Sequence, residues 1–413
     1  LVPIKEYLEV YALASNHRSI MEDLEMQRHR IPDTNSKLAL IPNAFFLSVF
    51  VAAVSLPVFT DAYAQDASRT SAGAPDSEKW VDVIRLDRLP NHRECPVVTA
   101  ISVSPDGQRI AAAGDDHAIR IVEIATGKTI TTLQGHLDWV QSVEFSPNGQ
   151  LLASCGNDGS LRIWSLERAA ALPSKHVVGH ALLTLAFLND SRVYAAGFGN
   201  QIYLWDAATN RMNIDHACDC RDIRTIAVSP DKKFIAYGGR DGLLRLRTTE
   251  ARRTEATGHS HSDGEWTVPL HSERIRSLQF SNDGRRITSV GEDRRIVHFD
   301  LATQKILSQT EVGGGKLMGL CQLAPHLFAI AGSDNTIRIF NDVDQQVQAK
   351  LIGHDGSVSI LKRTNRHLIS GSFDTTIRIW DIEHSVSSID ARGRFVHPVA
   401  AQFEDSGAAG DVK

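Results

Sequence analysis

Downstream of residue 80, short apolar runs alternate with polar turns at a nearly constant interval. One unit displays the pattern: WVQSVEFS from Trp139, LLASCG from Leu151, SLRIWSL from Ser160 and KHVVG from Lys175. Pro-Asn-Gly-Gln, Asn-Asp-Gly and the stretch 167–174 separate these runs. Alternating Val, Ile, Leu and Trp bounded by Asn-Gly or Asp-Gly predicts antiparallel strands in hairpins, because those turn residues tolerate the backbone twist a tight hairpin needs. The same point of each unit is marked by Asp116, Asp158, Gly199, Asp241, Asp293, Asp334 and Asp374, spaced 42, 41, 42, 52, 41 and 40 residues apart. A turn of SPDG type recurs in phase at Ser104, Ser146, Leu188, Ser229 and Ser281, and a Gly-His pair at Gly135, Gly179 and Gly353. Four strands in each of seven units with this period predict an all-β chain, a seven-bladed β-propeller of four-stranded antiparallel blades.

The ends of the repeat predict how the ring closes. The seventh unit has three strands, over 357–363, 366–372 and 375–382, while an isolated alternating strand, Trp80 to Leu86, precedes the first unit. That strand is expected to serve as the outer strand of the last blade, since an open edge exposes unpaired backbone groups. The propeller is thereby assigned to residues 80–390, and 391–413 to a flexible tail.

Before the repeat the pattern changes. Residues 38–59 form the most apolar stretch of the chain and carry no charge; Arg28, Arg30 and Lys37 precede it and Ala62-Tyr63-Ala64 follows. A basic flank, an apolar run and a small-x-small site read as a secretory signal peptide over 38–64. Two fates stay open: cleavage before Gln65, or retention of 38–59 as a membrane anchor, because a run of this length can span a bilayer. Residues 1–37 form a leader whose true start falls at Met21 or Met26 if the upstream part is over-extended, and 65–79 form a linker. The expectation is an exported protein, periplasmic, secreted or membrane-anchored, with a cytoplasmic protein as the alternative.

The Gly-His pair, the turn Asp and a closing IRIWD-type strand resemble the WD40 repeat family over residues 80–390; taken with the leader, the expectation is an exported, bacterial-type member. In that family a His before the first strand, a Ser or Thr in the second, the turn Asp and a Trp in the third form a hydrogen-bonded tetrad within a blade. The resemblance places these roles on His136, Ser154, Asp158 and Trp164 in blade two and on His354, Ser370, Asp374 and Trp380 in blade seven. Blade five keeps His271, Ser289 and Asp293 but has Phe299 for the indole. Blade three has His180 and Trp205 but Gly199 for the Asp. Blades one and four carry Glu94 and Asp219 at the His position and Val122 and Arg247 at the Trp position. These departures predict looser blades at one, four and six. A His, a Ser and an Asp together also invite a nucleophilic-triad reading, but a constellation that recurs from blade to blade has no unique site, so the tetrad reads as structural.

Composition narrows the function. Forty-four Lys and Arg against 49 Asp and Glu give a formal charge of −5, which argues against a nucleic-acid binder with its concentrated basic face. Five cysteines cannot frame a disulfide-rich fold. The 52-residue spacing locates an insertion between blades four and five, where His259, His261, Asp263, Glu265 and His271 have metal-ligand chemistry. A Ser/Asp/Gly-rich loop is ordinarily solvated, however, and His271 already has a tetrad role, so no metal or cofactor is assigned. Cys218-Asp219-Cys220 is half of a metal or redox site with no second half, and its redox state is left open. Gly313-Gly-Gly-Lys316 lacks the rest of a phosphate-binding loop and reads as a turn.

What remains is a surface. The resemblance implies a rigid platform whose partners meet the residue before each turn Asp and those entering each first strand. Trp139, Phe198, Arg240, Glu292 and Phe373 are the candidates there, and Trp266 joins them from the inserted loop. The expected function is a non-catalytic, monomeric scaffold for a protein or peptide. The alternative is an enzyme or metal or cofactor protein using the loop 258–273 or the central channel.

Overall fold

A computed structural model of the chain describes residues 81–90, 94–166, 170–220, 222–249 and 265–382. The leader, the apolar segment 38–64, the linker, the tail, His259, His261 and Asp263 lie outside the described residues. Every regular element among the described residues is a strand. β1 spans Val81–Arg85; β2–β5 fill 98–134, β6–β9 140–177, β10–β13 182–217 and β14–β17 223–269. β18–β21 fill 275–311, β22–β25 317–351 and β26–β28 358–381.

They form seven four-stranded antiparallel sheets, six of them built from consecutive strands. The seventh runs β1-β28-β27-β26, with Val81 opposite Trp380 and Arg85 opposite Thr376, so the first strand completes the last blade. The sheets close on one another. Ile369, Ile377 and Ile379 of blade seven pack with Val98, Ile101 and Ile110 of blade one, just as Ala111, Ile119 and Leu133 of blade one pack with Val143, Phe145 and Trp164 of blade two.

Each inner strand is therefore covered on both faces by neighbouring blades, which is why its sequence is nearly continuous in small and apolar residues. In β7 (Leu151–Gly156) every residue after the first is buried, whereas the outer strand β5 (Thr129–Gln134) alternates exposed with covered positions. Burying apolar surface at about 25 cal/mol per Å² makes these interblade layers the main source of stability.

Two predicted boundaries move. β9 begins at Ala170 rather than Lys175, because Ala170 and Ala171 pair with Ser165 and Trp164. The insertion lies within blade four, between β16 (Leu243–Thr248) and β17 (Trp266–Pro269), not between blades. Trp266 is the first residue of that outer strand, opposite Leu246, and its ring meets Phe234 at 5.9 Å. The sequence reading as a surface loop fails here because WTVP is short, yet β16 needs a ladder partner.

Candidate functional site

The tetrads form in blades two and seven. The Trp164 indole, a donor only, gives its N–H to Ser154 Oγ at 2.8 Å; that hydroxyl lies 2.8 Å from His136 Nε2, and Nδ1 is 3.1 Å from the Asp158 carboxylate. One direction of donation satisfies the chain: Trp to Ser, Ser to a neutral imidazole, Nδ1–H to carboxylate. Blade seven repeats it at 2.8 Å, 2.7 Å and 2.7 Å through Trp380, Ser370, His354 and Asp374. Blade five keeps His271 between Asp293 at 2.9 Å and Ser289 at 2.8 Å. Burial works to raise the Asp158 and Asp374 carboxyls, but their histidines and hydrogen-bonded neighbours overcome it and hold both well below the ordinary carboxylate range. Burial holds His136 below its usual value. Ser154, Ser289 and Ser370 are wholly buried, and each hydroxyl is engaged by the Nε2 of its blade's histidine.

Blades one, four and six solve the same problem differently, and the sequence reading missed it. An Arg four residues after the turn Asp grips it with both terminal nitrogens. Arg120 reaches Asp116 at 3.3 and 2.6 Å, and Arg245 reaches Asp241 at 3.2 and 2.5 Å. Arg338 clasps Asp334 in the same way. The turn Asp of these blades is held as firmly as in the tetrads, contrary to the expected looseness. Gly314, with φ of 80°, lies against the Arg338–Asp334 pair where a Cβ would collide, which gives the Gly-rich turn its packing role. In blade three the His180 ring fills the space a side chain at Gly199 would take, and its Nε2 has no partner among the described residues.

The loop face gathers the remaining candidates. In blade one the Asp115 carboxylate accepts from the Val97 N–H at 3.0 Å, whereas in blades two to seven the N–H of the residue before the turn position donates to the carbonyl of a residue entering the adjacent first strand. Asn157 pairs so with Trp139, Phe198 with Ala181, Arg240 with Asp222, Glu292 with Arg274, Ser333 with Lys316 and Phe373 with Ser357. Phe198 and Phe373 are 43% and 37% exposed, and Arg240 is exposed. Arg224 stacks over Phe198 at 4.8 Å from the ring centroid and pairs with Asp222 at 2.5 Å. Arg274 bridges Asp222 at 3.4 Å and Glu292 at 2.8 Å, and Glu292 also takes Lys316 at 2.7 Å and Arg276 at 3.7 Å. Burial would raise Glu292, but Lys316 and Arg274 hold it low. Trp266 is not part of this group: its pairing with Leu246 puts it at the far end of a ladder whose other end, Leu243 with Pro269, adjoins the turn.

Other chemistry is sparse. Cys218 and Cys220 are joined by a disulfide, both buried in the core between blades three and four. Cys155 and Cys321 are buried in strands, and burial pushes the Cys321 thiol up to about 11. On the innermost strand β6 (Val140–Phe145), burial pushes Glu144 up to about 7 against the pull of Lys362 and the Phe187 amide. Among the described residues no group of three or more His, Cys, Asp or Glu is arranged to hold a metal ion, and no helix is long and apolar enough to cross a membrane.

Comparison with known proteins agrees with this architecture. Residues 97–381 match the family model described as the IFT122 first beta-propeller. WD repeat-containing protein 18 of Danio rerio is 24% identical over 55% of this chain and 56% of its own length. The nuclear distribution protein nudF of Aspergillus niger is 23% identical over 78% of this chain and 67% of its own. A guanine nucleotide-binding protein subunit beta of Nicotiana tabacum is 26% identical over 46% and 53%. The chain spans about half the length of most of the curated relatives it matches. These relatives come from a fish, a fungus and a plant, and lend no support to a bacterial-type protein.

Proposed function

The chain belongs to the family of the IFT122 first beta-propeller, and on that premise we propose that it is a non-catalytic platform holding a protein or peptide segment on its loop face. The observation that carries this reading is the ring of paired positions that presents Trp139, Phe198, Arg240 and Phe373 from four different blades of a closed, rigid scaffold. Aromatic and Arg side chains are enriched among the residues that carry most of the energy of protein interfaces. The test is a selection of displayed peptides against the purified protein, followed by alanine variants. Peptides dependent on Phe198, Arg240 and Phe373 but indifferent to Trp266→Ala support the platform. Peptides that ignore the face, or a tightly held metal or cofactor with turnover, favour the enzyme reading.

Export is part of the same proposal. It rests on the basic flank, apolar run and Ala62-Tyr63-Ala64 of the leader, and draws support from the Cys218–Cys220 disulfide, since such bonds persist in oxidising compartments. Terminal-peptide mass spectrometry checks it: a chain beginning at Gln65 outside the cytoplasm fits, and an intact leader in the cytosol returns an intracellular scaffold.

A further inference from the structure

The loop face is electrostatically two-sided. On blades four to six the cations Arg224, Arg274, Arg276 and Lys316 share two carboxylates, Asp222 and Glu292. The carboxylates are the floor, with side chains 7% and 9% exposed, and the cations are the wall, at 21% for Arg224, 26% for Arg274, 24% for Arg276 and 61% for Lys316. Arg240, exposed, adds a fifth cation, and its backbone N–H donates to the Asp222 carbonyl. With Asp241 taken up by its own partner Arg245, adding the exposed carboxylates Asp219 and Glu273 of the neighbouring loops still leaves these five cations against four carboxylates, although the whole chain is acidic. Across the axis the corresponding loops carry Asp115, Asp138 and Asp355.

We infer that this sector of the face binds an acidic peptide segment, with Phe198 receiving an apolar side chain next to the acids. The inference rests on the platform reading above and names its partner class. The guanidinium groups are already oriented by the buried carboxylates, so little side-chain entropy is lost when a carboxylate arrives. An accessible donor stands beside them: the Lys316 side chain is 61% exposed, and its ammonium, with three N–H groups, gives one to Glu292 at 2.7 Å. Planar guanidiniums meet carboxylates with two parallel hydrogen bonds, a geometry that selects Asp and Glu side chains. Phe198, whose ring already carries Arg224, supplies apolar contact at the sector's edge. A peptide fits better than a nucleic acid, because a long polyanion crossing the face would meet Asp115, Asp138 and Asp355.

The experiment is fluorescence anisotropy on the full chain with three labelled probes: a Glu/Asp-rich peptide bearing one aromatic residue, a Lys/Arg-rich peptide of equal length, and a single-stranded oligothymidylate. The acidic peptide is expected to bind, to weaken with salt, and to lose about tenfold or more in affinity on combining Arg276→Gln with Lys316→Gln. Arg294→Gln, at a residue paired outward with Glu311, is expected to leave binding unchanged, and melting curves establish that each variant is folded. Failure of the acidic peptide to bind, indifference to the double substitution, or equal binding of the oligothymidylate overturns the inference. If the basic peptide binds instead and depends on Asp138 and Asp355, the partner class falls while the platform stands. If no peptide binds and the display selection yields none dependent on the face, both fall.

Discussion

Blades two and one carry the same turn Asp and the same Arg four residues later, yet the two arginines do different things. In blade two His136 occupies Asp158, and Arg162 is turned away to the Gly135 carbonyl. In blade one Glu94 stands where the His would be, and Arg120 swings onto Asp116 while also reaching the Asp87 carbonyl at 2.6 Å. Which residue precedes the first strand therefore decides how the third strand spends its cation. A tetrad is a chain of neutral donors ending on one carboxylate; a clamp is a full ion pair whose guanidinium is 1% exposed. The first depends on the proton occupancy of an imidazole; the second contains no imidazole, and its guanidinium does not titrate in the accessible range.

The sharpest way to break this comparison is to remove the carboxylate of a clamp. Asp116→Ala leaves a buried guanidinium with little beyond one carbonyl, and urea unfolding should show a loss of about 3–5 kcal/mol. In the tetrad, His136→Ala should cost about 1–3 kcal/mol, because Asp158 keeps the Leu137 and Ser160 amides. Equal losses would erase the distinction. Acidification separates the two classes further. His136 is held below its ordinary value in the folded chain, so the unfolded chain takes up the proton first, and stability contributed by the neutral ring falls as pH drops through about 6.5. Asp158 follows at lower pH, since a depressed carboxylate stabilises above its unfolded value and loses that contribution as pH falls through its folded one. A melting temperature that declines between neutral pH and pH 5 in the native chain, and declines less in His136→Ala, is the expected outcome. The smallest effect belongs to Gly199→Asp, which gives His180 the partner blade three lacks and should stabilise by about 0.5–1.5 kcal/mol once the ring moves aside.

The strands and tetrads were legible because each follows from local spacing: alternation of period two, and four residue types at fixed offsets within one blade. The clamps were not, since Arg120 and Arg162 occupy the same offset and only the occupant of a distant position tells their roles apart. Glu292 was picked out as a contact residue, but with a side chain 9% exposed it is the counter-ion that orders three cations. The basic sector had no signature as a charge run, for Arg224, Arg276 and Lys316 come to one side only when blades four, five and six pack on one another. Trp266 misled because a four-residue strand after a long insertion is too short for alternation to register.

The seam at β1 has a consequence for synthesis. The strand that leaves the ribosome first pairs with the one that leaves last, and roughly 290 residues emerge between them, which at 5–20 residues per second means about 15–60 s. Throughout that interval VDVIR has no ladder. Asp82 and Arg85, exposed in the finished ring, keep this waiting strand charged at alternate ends and unattractive to the unpaired edges of neighbouring nascent chains.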